Sequence, residues 1–218
     1  MFVGHYAAAL AAKSAEPRGP LWTYVLGCQL IDVAWGGLIA AGVERVTVDP
    51  SLPGSALVLE HMPYTHSLPA SIAWSVGAAL LARLVLRLPW RVAVVIALTV
   101  FSHWLADLLV HRPDLELWFG GEKVGLGLWN YPVPEQAVEI GLLGLAAAAW
   151  TWRRAKLGQG LWPALIFVGL LLALQLYAML QPANPDPVGL GTTAIAVYLL
   201  FTALAWIVDR PGSKPRPA

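Results

Sequence analysis

Six apolar stretches of spanning length alternate with polar, proline-rich or glycine-rich breaks. They fall at residues 21–42, 67–87, 90–111, 135–152, 161–181 and 189–208. Each is near the roughly 20 residues that an α-helix needs to cross about 30 Å of hydrocarbon. The breaks include Glu16-Pro17-Arg18-Gly19-Pro20, Leu88-Pro89, Arg153-Arg154-Ala155-Lys156 and Pro182-Ala183-Asn184-Pro185-Asp186-Pro187. Glycine and proline of this density end helices. Residues 2–13 are apolar but too short to cross, and they predict a half-helix that dips into the bundle or lies at its interface. The pattern as a whole predicts an all-α membrane protein: six transmembrane helices plus a short N-terminal half-helix, forming a single membrane domain over 1–218. The tail over 211–218 is expected to be disordered.

Composition agrees with this reading. The chain is 58% hydrophobic and 12% charged, against roughly 25% charged residues in soluble domains. A net charge of +1 gives no argument for a nucleic-acid partner, and membrane lipid is the partner expected. Cys28 is the sole cysteine, so an intrachain disulfide is excluded. The start, Met1-Phe2-Val3-Gly4-His5, lacks the basic n-region of a signal peptide, and the N-terminus is expected to be retained. The basic residues set an orientation. Lys13, Arg18, Arg83, Arg87, Arg91, Arg153, Arg154, Lys156, Arg210, Lys214 and Arg216 fall on one side of the six-span arrangement; Arg45, Arg112 and Lys123 fall on the other. The excess of basic residues marks the cytoplasmic side, so both termini are expected in the cytoplasm. The segments 43–66 and 112–134 then face away from it, and long connections of this kind usually carry function.

Within span 90–111, His103, Asp107 and His111 recur every four residues. Each step of four advances about 6 Å and turns about 40°, so the three side chains form one stripe. Ionisable groups at this depth are costly and face a bundle interior, pair with one another or bind something. Two imidazoles and a carboxylate are the chemistry of a metal site. At a rise of 1.5 Å per residue, Asp32 lies near mid-membrane, while Glu139 reaches nearly the depth of Asp107. His66 begins span 67–87 at the outer face, with Ser67 or Thr65 as its cap. His5 approaches Asp32 if the half-helix enters the bundle. The candidate metal ligands are therefore His5, His66, His103, Asp107 and His111, with Glu139 and Asp32 as candidate catalytic carboxylates. His111 lies about 12 Å along the axis from His103, so it joins through a second ion or through a bend after Val110. Each of these groups also has a bland reading, as an interhelical hydrogen-bonding partner or a wet helix end.

The segment 120–130 is rich in glycine and carries Lys123 and Asn130. Glycine lets backbone N–H groups approach a ligand, and Lys123 adds positive charge. This suits an anion such as phosphate, so Lys123 and Asn130 are candidate substrate-binding residues. The spacing is not that of a P-loop, and an ordinary outer loop is the competing reading.

Taken together, Gly4-His5, Asp32, Tyr64-Thr65-His66-Ser67-Leu68, Ser102-His103-Trp104 with Asp107, His111-Arg112-Pro113-Asp114 and Gly125-Leu126-Gly127-Leu128-Trp129-Asn130 give the chain a family resemblance. It resembles the bacterial family of predicted inner-membrane metal-dependent hydrolases. The likeness covers the motif-bearing part, residues 1–140; the helical pair over 161–208 carries no matching motif. The resemblance implies a multi-pass protein of the bacterial inner (cytoplasmic) membrane with metal-dependent hydrolysis. The imidazoles favour a divalent transition metal, zinc foremost, as one or two ions. A metal lowers the pKa of a bound water to about 7, with Glu139 or Asp32 as general base. A site in the outer half of the bilayer suggests a lipid or lipid-linked phosphoester as substrate. An ion- or proton-coupled transporter is the alternative, as is a non-catalytic membrane protein in which the same groups are structural pairs. A transporter calls for polar groups at several depths, and Gln175 and Tyr177 are the obvious ones in the middle of the last two spans.

Overall fold

A computed structural model describes residues 1–209, so the tail expected to be disordered lies outside the described residues. The order is α1 (His5–Ala15), α2 (Leu21–Ala40), β1 (Arg45–Val48), β2 (Leu57–His61), α3 (Leu68–Leu84), α4 (Trp90–Val110), β3 (Leu115–Glu116), β4 (Lys123–Val124), α5 (Pro132–Lys156), α6 (Trp162–Leu180) and α7 (Pro187–Val208). The six long helices fall on the six apolar stretches. Five of them, all but α5, are long and apolar enough to cross a membrane, and the molecule is an all-α membrane protein in that sense. The helix starts follow local chemistry. Ser67 caps α3, its hydroxyl accepting from Ala70 N–H. Asp186 caps α7 by accepting from Val188 N–H. Proline stands in the first turn of α3, α5, α6 and α7, where its missing N–H costs nothing.

The half-helix α1 enters the bundle. It packs against α2, α4 and α5, with Tyr6, Ala9 and Leu10 wholly buried. Its C-terminal Lys13 is buried too, but the ammonium is fully used. Nζ donates to Pro17 O (3.0 Å), Gly19 O (2.8 Å) and the Asp209 carboxylate (2.9 Å), which meets the requirement that a buried charge be paired. Helices α2 and α7 meet at glycines. A Cβ built on Gly36 would lie 2.6 Å from Gly191 O, so small residues let the two backbones approach. Helices α3 and α6 sit at the periphery and expose Leu80, Leu81, Leu84, Ile166 and Leu176, as a lipid-facing surface does. Tyr177 is on that face and 61% exposed.

The two long connections, over 43–66 and 112–134, each contain a short antiparallel ladder. Strand β1 pairs with β2, with Val46 opposite Leu59, and β3 pairs with β4, with Glu116 opposite Lys123. Val46, Leu59 and Leu115 pack with Trp35 and Ile39 of α2, so the ladders form a lid on the bundle rather than free loops.

Candidate metal centre

Four imidazoles converge on two carboxylates where α1, α2, α4 and the start of α3 meet. Asp107 is the hub. Its Oδ1 lies 3.2 Å from His5 Nε2 and 3.7 Å from His111 Nε2. Its Oδ2 lies 3.1 Å from His103 Nε2 and 3.7 Å from His66 Nε2. Asp32 Oδ1 approaches the same pair, at 3.3 Å from His103 Nε2 and 3.4 Å from His66 Nε2. The amino nitrogen of Met1 is 2.9 Å from Asp107 Oδ1. Ligand atoms of His5, His103 and Asp107 lie within 4.8 Å of one another, as do those of Asp32, His66 and His103. All five predicted metal ligands are thus brought together, with Asp32 beside them. His61, by contrast, stands 3.8 Å from Glu116 at the surface.

Each imidazole is aimed by its other nitrogen. His103 Nδ1 is 2.7 Å from Cys28 O. A carbonyl only accepts, so Nδ1 carries the proton. His111 Nδ1 is 3.0 Å from Asp114 Oδ1 and donates in the same way. For His66 the argument takes two steps. The Thr65 hydroxyl donates its single proton to Glu44 Oε2 at 2.6 Å. Thr65 Oγ1, 2.8 Å from His66 Nδ1, can therefore only accept from it. Three rings therefore turn Nε2 toward the carboxylates with Nδ1–H already spent, the outer-shell arrangement of metal-ligating histidines. His5 is fixed differently: its ring stacks on His103 with centroids 3.7 Å apart and planes 3° from parallel.

The outer partners come from the two lidded connections. Glu44 also accepts from Tyr64 N–H and Thr65 N–H, at 2.9 Å each. Asp114 Oδ2 accepts from Leu59 N–H at 3.2 Å. Trp104 Nε1 donates to His66 O at 3.0 Å. Helix α4 ends at Val110, and His111 turns out of it with φ −61° and ψ 147°. Its N–H still donates to Asp107 O at 2.8 Å, so His111 keeps the i,i+4 position beside Asp107 that a helix provides, and the chain turns away only after it.

Three sequence candidates lie elsewhere. Glu139 Oε1 accepts from Phe2 N–H and, at 2.9 Å, from Gly4 N–H, while Oε2 accepts from Gln175 Nε2 at 3.2 Å. Both oxygens are occupied in anchoring the segment that carries His5, so Glu139 is a positioning residue rather than the expected base. Lys123 Nζ donates to Leu59 O (2.7 Å) and Glu60 O (2.9 Å), and Asn130 Oδ1 accepts from Arg112 Nε at 2.9 Å. The glycine segment caps α4 instead of cradling an anion. Leu126 N–H donates to Leu108 O (2.8 Å) and Gly127 N–H to His111 O (2.7 Å), taking up carbonyls that a helix end leaves unsatisfied. Sequence reading missed Tyr198 of α7, whose hydroxyl donates to Asp32 Oδ2 at 3.0 Å. A lone tyrosine within an apolar span was its only signal.

The anchor gives a measurable expectation. Glu139→Ala leaves the N–H groups of Phe2 and Gly4 without their acceptor, at about 1–3 kcal/mol for each buried donor left unmet, while Gln175 Nε2 keeps Gln136 Oε1. A lowered unfolding temperature in detergent is expected, with Glu139→Gln, which keeps one acceptor oxygen, falling between it and wild type. Equal unfolding temperatures for all three proteins would refute the anchor role.

The residues fit a transition metal. His103 Nε2 and His5 Nε2 are buried with no hydrogen-bond partner, although buried polar groups are normally satisfied, and a cation held between them and the Asp107 carboxylate would satisfy both. No family model, curated protein or solved structure matches this chain.

Proposed function

We propose that the protein is a metal-dependent hydrolase of the bacterial inner membrane that acts from the non-cytoplasmic side on a lipid or lipid-linked phosphoester. The observation that carries this is the convergence of four oriented imidazoles on Asp32 and Asp107 within a membrane bundle. Zinc is the preferred ion, because imidazole and carboxylate together suit it. In this reading α5 is the sixth span and the ends of α1 and α7 lie on the cytoplasmic side, while Met1, expected there from the sequence, is inside the bundle beside Asp107. The contact of Lys13 with Asp209, which places the end of α1 beside the end of α7, supports that placement.

Metal bound here supplies a Lewis acid and a water of lowered pKa. The protein does the rest. His103, His66 and Asp107, each nearly solvent-free, would hold the ion in a dry setting where electrostatic effects are strongest. Asp32 has the most exposed side chain of the six, at 14%, and is where substrate and water arrive. Oδ1 of Asp32 faces the imidazoles, leaving a free lone pair on Oδ2, beside the Tyr198 hydroxyl, to take the proton of the attacking water. Gln175 and Tyr198, polar groups of the last two helices, join Glu139 and Asp32 instead of marking a separate path, which favours hydrolysis over transport.

Metal analysis of detergent-purified protein, followed by a screen of phosphoester lipids with and without chelator, tests the reading. Stoichiometric transition metal and a chelator-sensitive, zinc-restored release of phosphate or headgroup are expected. Freshly prepared protein without stoichiometric metal would refute it.

A further inference from the structure

Helices α2 and α3 both pack against α4, and between them runs an apolar cleft of about 770 Å3 with Ile96 of α4 in its floor. Its walls are built from small residues, among them Gly27 on α2 and Ala70, Ala73 and Gly77 on α3. Where α2 meets α7, small residues let two backbones approach. Here a Cβ built on Gly77 meets nothing within 4 Å, so the same residue type keeps a space open. Two of the few polar groups in the lining are already spent: the Thr23 hydroxyl donates to Pro20 O at 2.7 Å, and Trp74 Nε1 donates to Tyr64 O at 2.9 Å. Apolar space of this kind stays dry. Both α2 and α3 are long and apolar enough to cross a membrane, so hydrocarbon is the medium at the opening.

Size excludes a partner helix. Spread along the roughly 18 Å of α3 from Ala70 to Ala82, the cleft has a mean cross-section of about 40 Å2, against about 80 Å2 or more for a helix with its side chains. A hydrocarbon tail fits that width, and the length is close to the roughly 15 Å of hydrocarbon in one leaflet. One end of the cleft lies at the metal centre. Tyr64 and Ala70 line it on either side of His66 in the chain, and Leu30 lines it about 3 Å of helical rise before Asp32. Phe119, on the turn between β3 and β4, adds a wall from the lid.

We infer that this cleft seats one acyl chain of a phospholipid whose phosphoester headgroup reaches the metal centre. The inference rests on the hydrolase reading above and narrows its substrate to a phospholipid of the bilayer. The tail enters sideways between α2 and α3, and the headgroup meets Asp32, the most exposed side chain of the centre.

The test places the full chain in bilayers of phosphatidylethanolamine and phosphatidylglycerol, the latter including a form with a photoreactive diazirine at the end of one acyl chain. Cross-links are mapped by peptide mass spectrometry, and lipid retained in mild detergent is counted by native mass spectrometry. Wild type is expected to keep one phospholipid per chain and to cross-link at Trp22, Leu26 or Leu30, the half-buried positions of an otherwise buried stretch. Gly77→Leu fills the cleft and is expected to cut both signals about tenfold, since its side chain takes the place of two or three chain methylenes, with the unfolding temperature unchanged. Ala73→Leu, one turn away on the same wall, is expected to do the same. Gly169→Leu on α6, where a Cβ also meets nothing within 4 Å, is expected to match wild type. A wild type that retains no lipid, or retention and cross-linking undiminished in both cleft variants, would overturn the acyl-chain site and leave the metal-dependent reading standing. Protein that keeps its lipid but binds no metal would overturn the headgroup placement together with the hydrolase reading.

Discussion

His103→Ala is expected to cost more than about 100-fold in transition-metal affinity, since even outer-shell changes in metal sites cost about 10–100-fold. His103 is the member shared by both groups of metal-competent ligands. It is also the ring on which His5 stacks, so its loss leaves His5 without support. Chelator competition against the purified protein measures the effect, and on the proposed function hydrolysis should fall with metal content. Thr65→Val provides the graded comparison. It removes the acceptor of His66 Nδ1–H but no ligand, and a loss of about 10–100-fold is expected. If Thr65→Val bound metal as wild type does, the Glu44–Thr65–His66 relay would have no role in setting the ligand.

Gly125→Ala is expected to destabilise the fold by about 2–4 kcal/mol, in the range of severe overpacking. A Cβ at this position would stand 2.1 Å from Arg112 O and 2.5 Å from His111 O. These are backbone atoms, which cannot swing aside. The strand of chain that follows supplies the N–H groups that cap α4 at Leu108 and His111, so His111 should shift with it and metal affinity should fall alongside stability. Thermal unfolding in detergent and the same chelator competition read both effects. Gly141→Ala on α5 is the control: nothing lies within 4 Å of its Cβ position, and alanine favours a helix interior by about 0.5–1 kcal/mol. An unchanged unfolding temperature for Gly125→Ala would refute the close approach.

The candidate ligands were legible because water-loving side chains in an apolar span are anomalies whatever the tertiary fold. His103 and Asp107 stand out in α4 on this ground alone. Alignment by helical rise then added Asp32 and His66. Depth does not give rotation, however. Glu139 reaches the right depth but turns toward the start of α1 and becomes its anchor. Lys123 and the glycines of 120–130 carried the composition of an anion site, yet the backbone they approach is their own protein's. Lys123 satisfies carbonyls of Leu59 and Glu60, and Gly127 satisfies His111 O. Composition reports that close approach is possible; it does not say to what.

By itself, the sequence determined that this chain belongs in a membrane, which segments become long helices, and which histidines are anomalous enough to be ligands. These follow from hydrophobic run length and from the cost of burying charge, both properties of a segment taken alone. The tertiary structure decided that α1 enters the bundle and that Asp114 holds the ring of His111. It also decided that Nδ1 of three rings is already spoken for and that Tyr198 of the motif-poor half reaches Asp32. Each of these depends on helix rotation, on a helix end, or on hydrogen-bond partners distant in sequence. His103 meets the carbonyl of Cys28, and Asp32 meets the hydroxyl of Tyr198, contacts that packing alone creates.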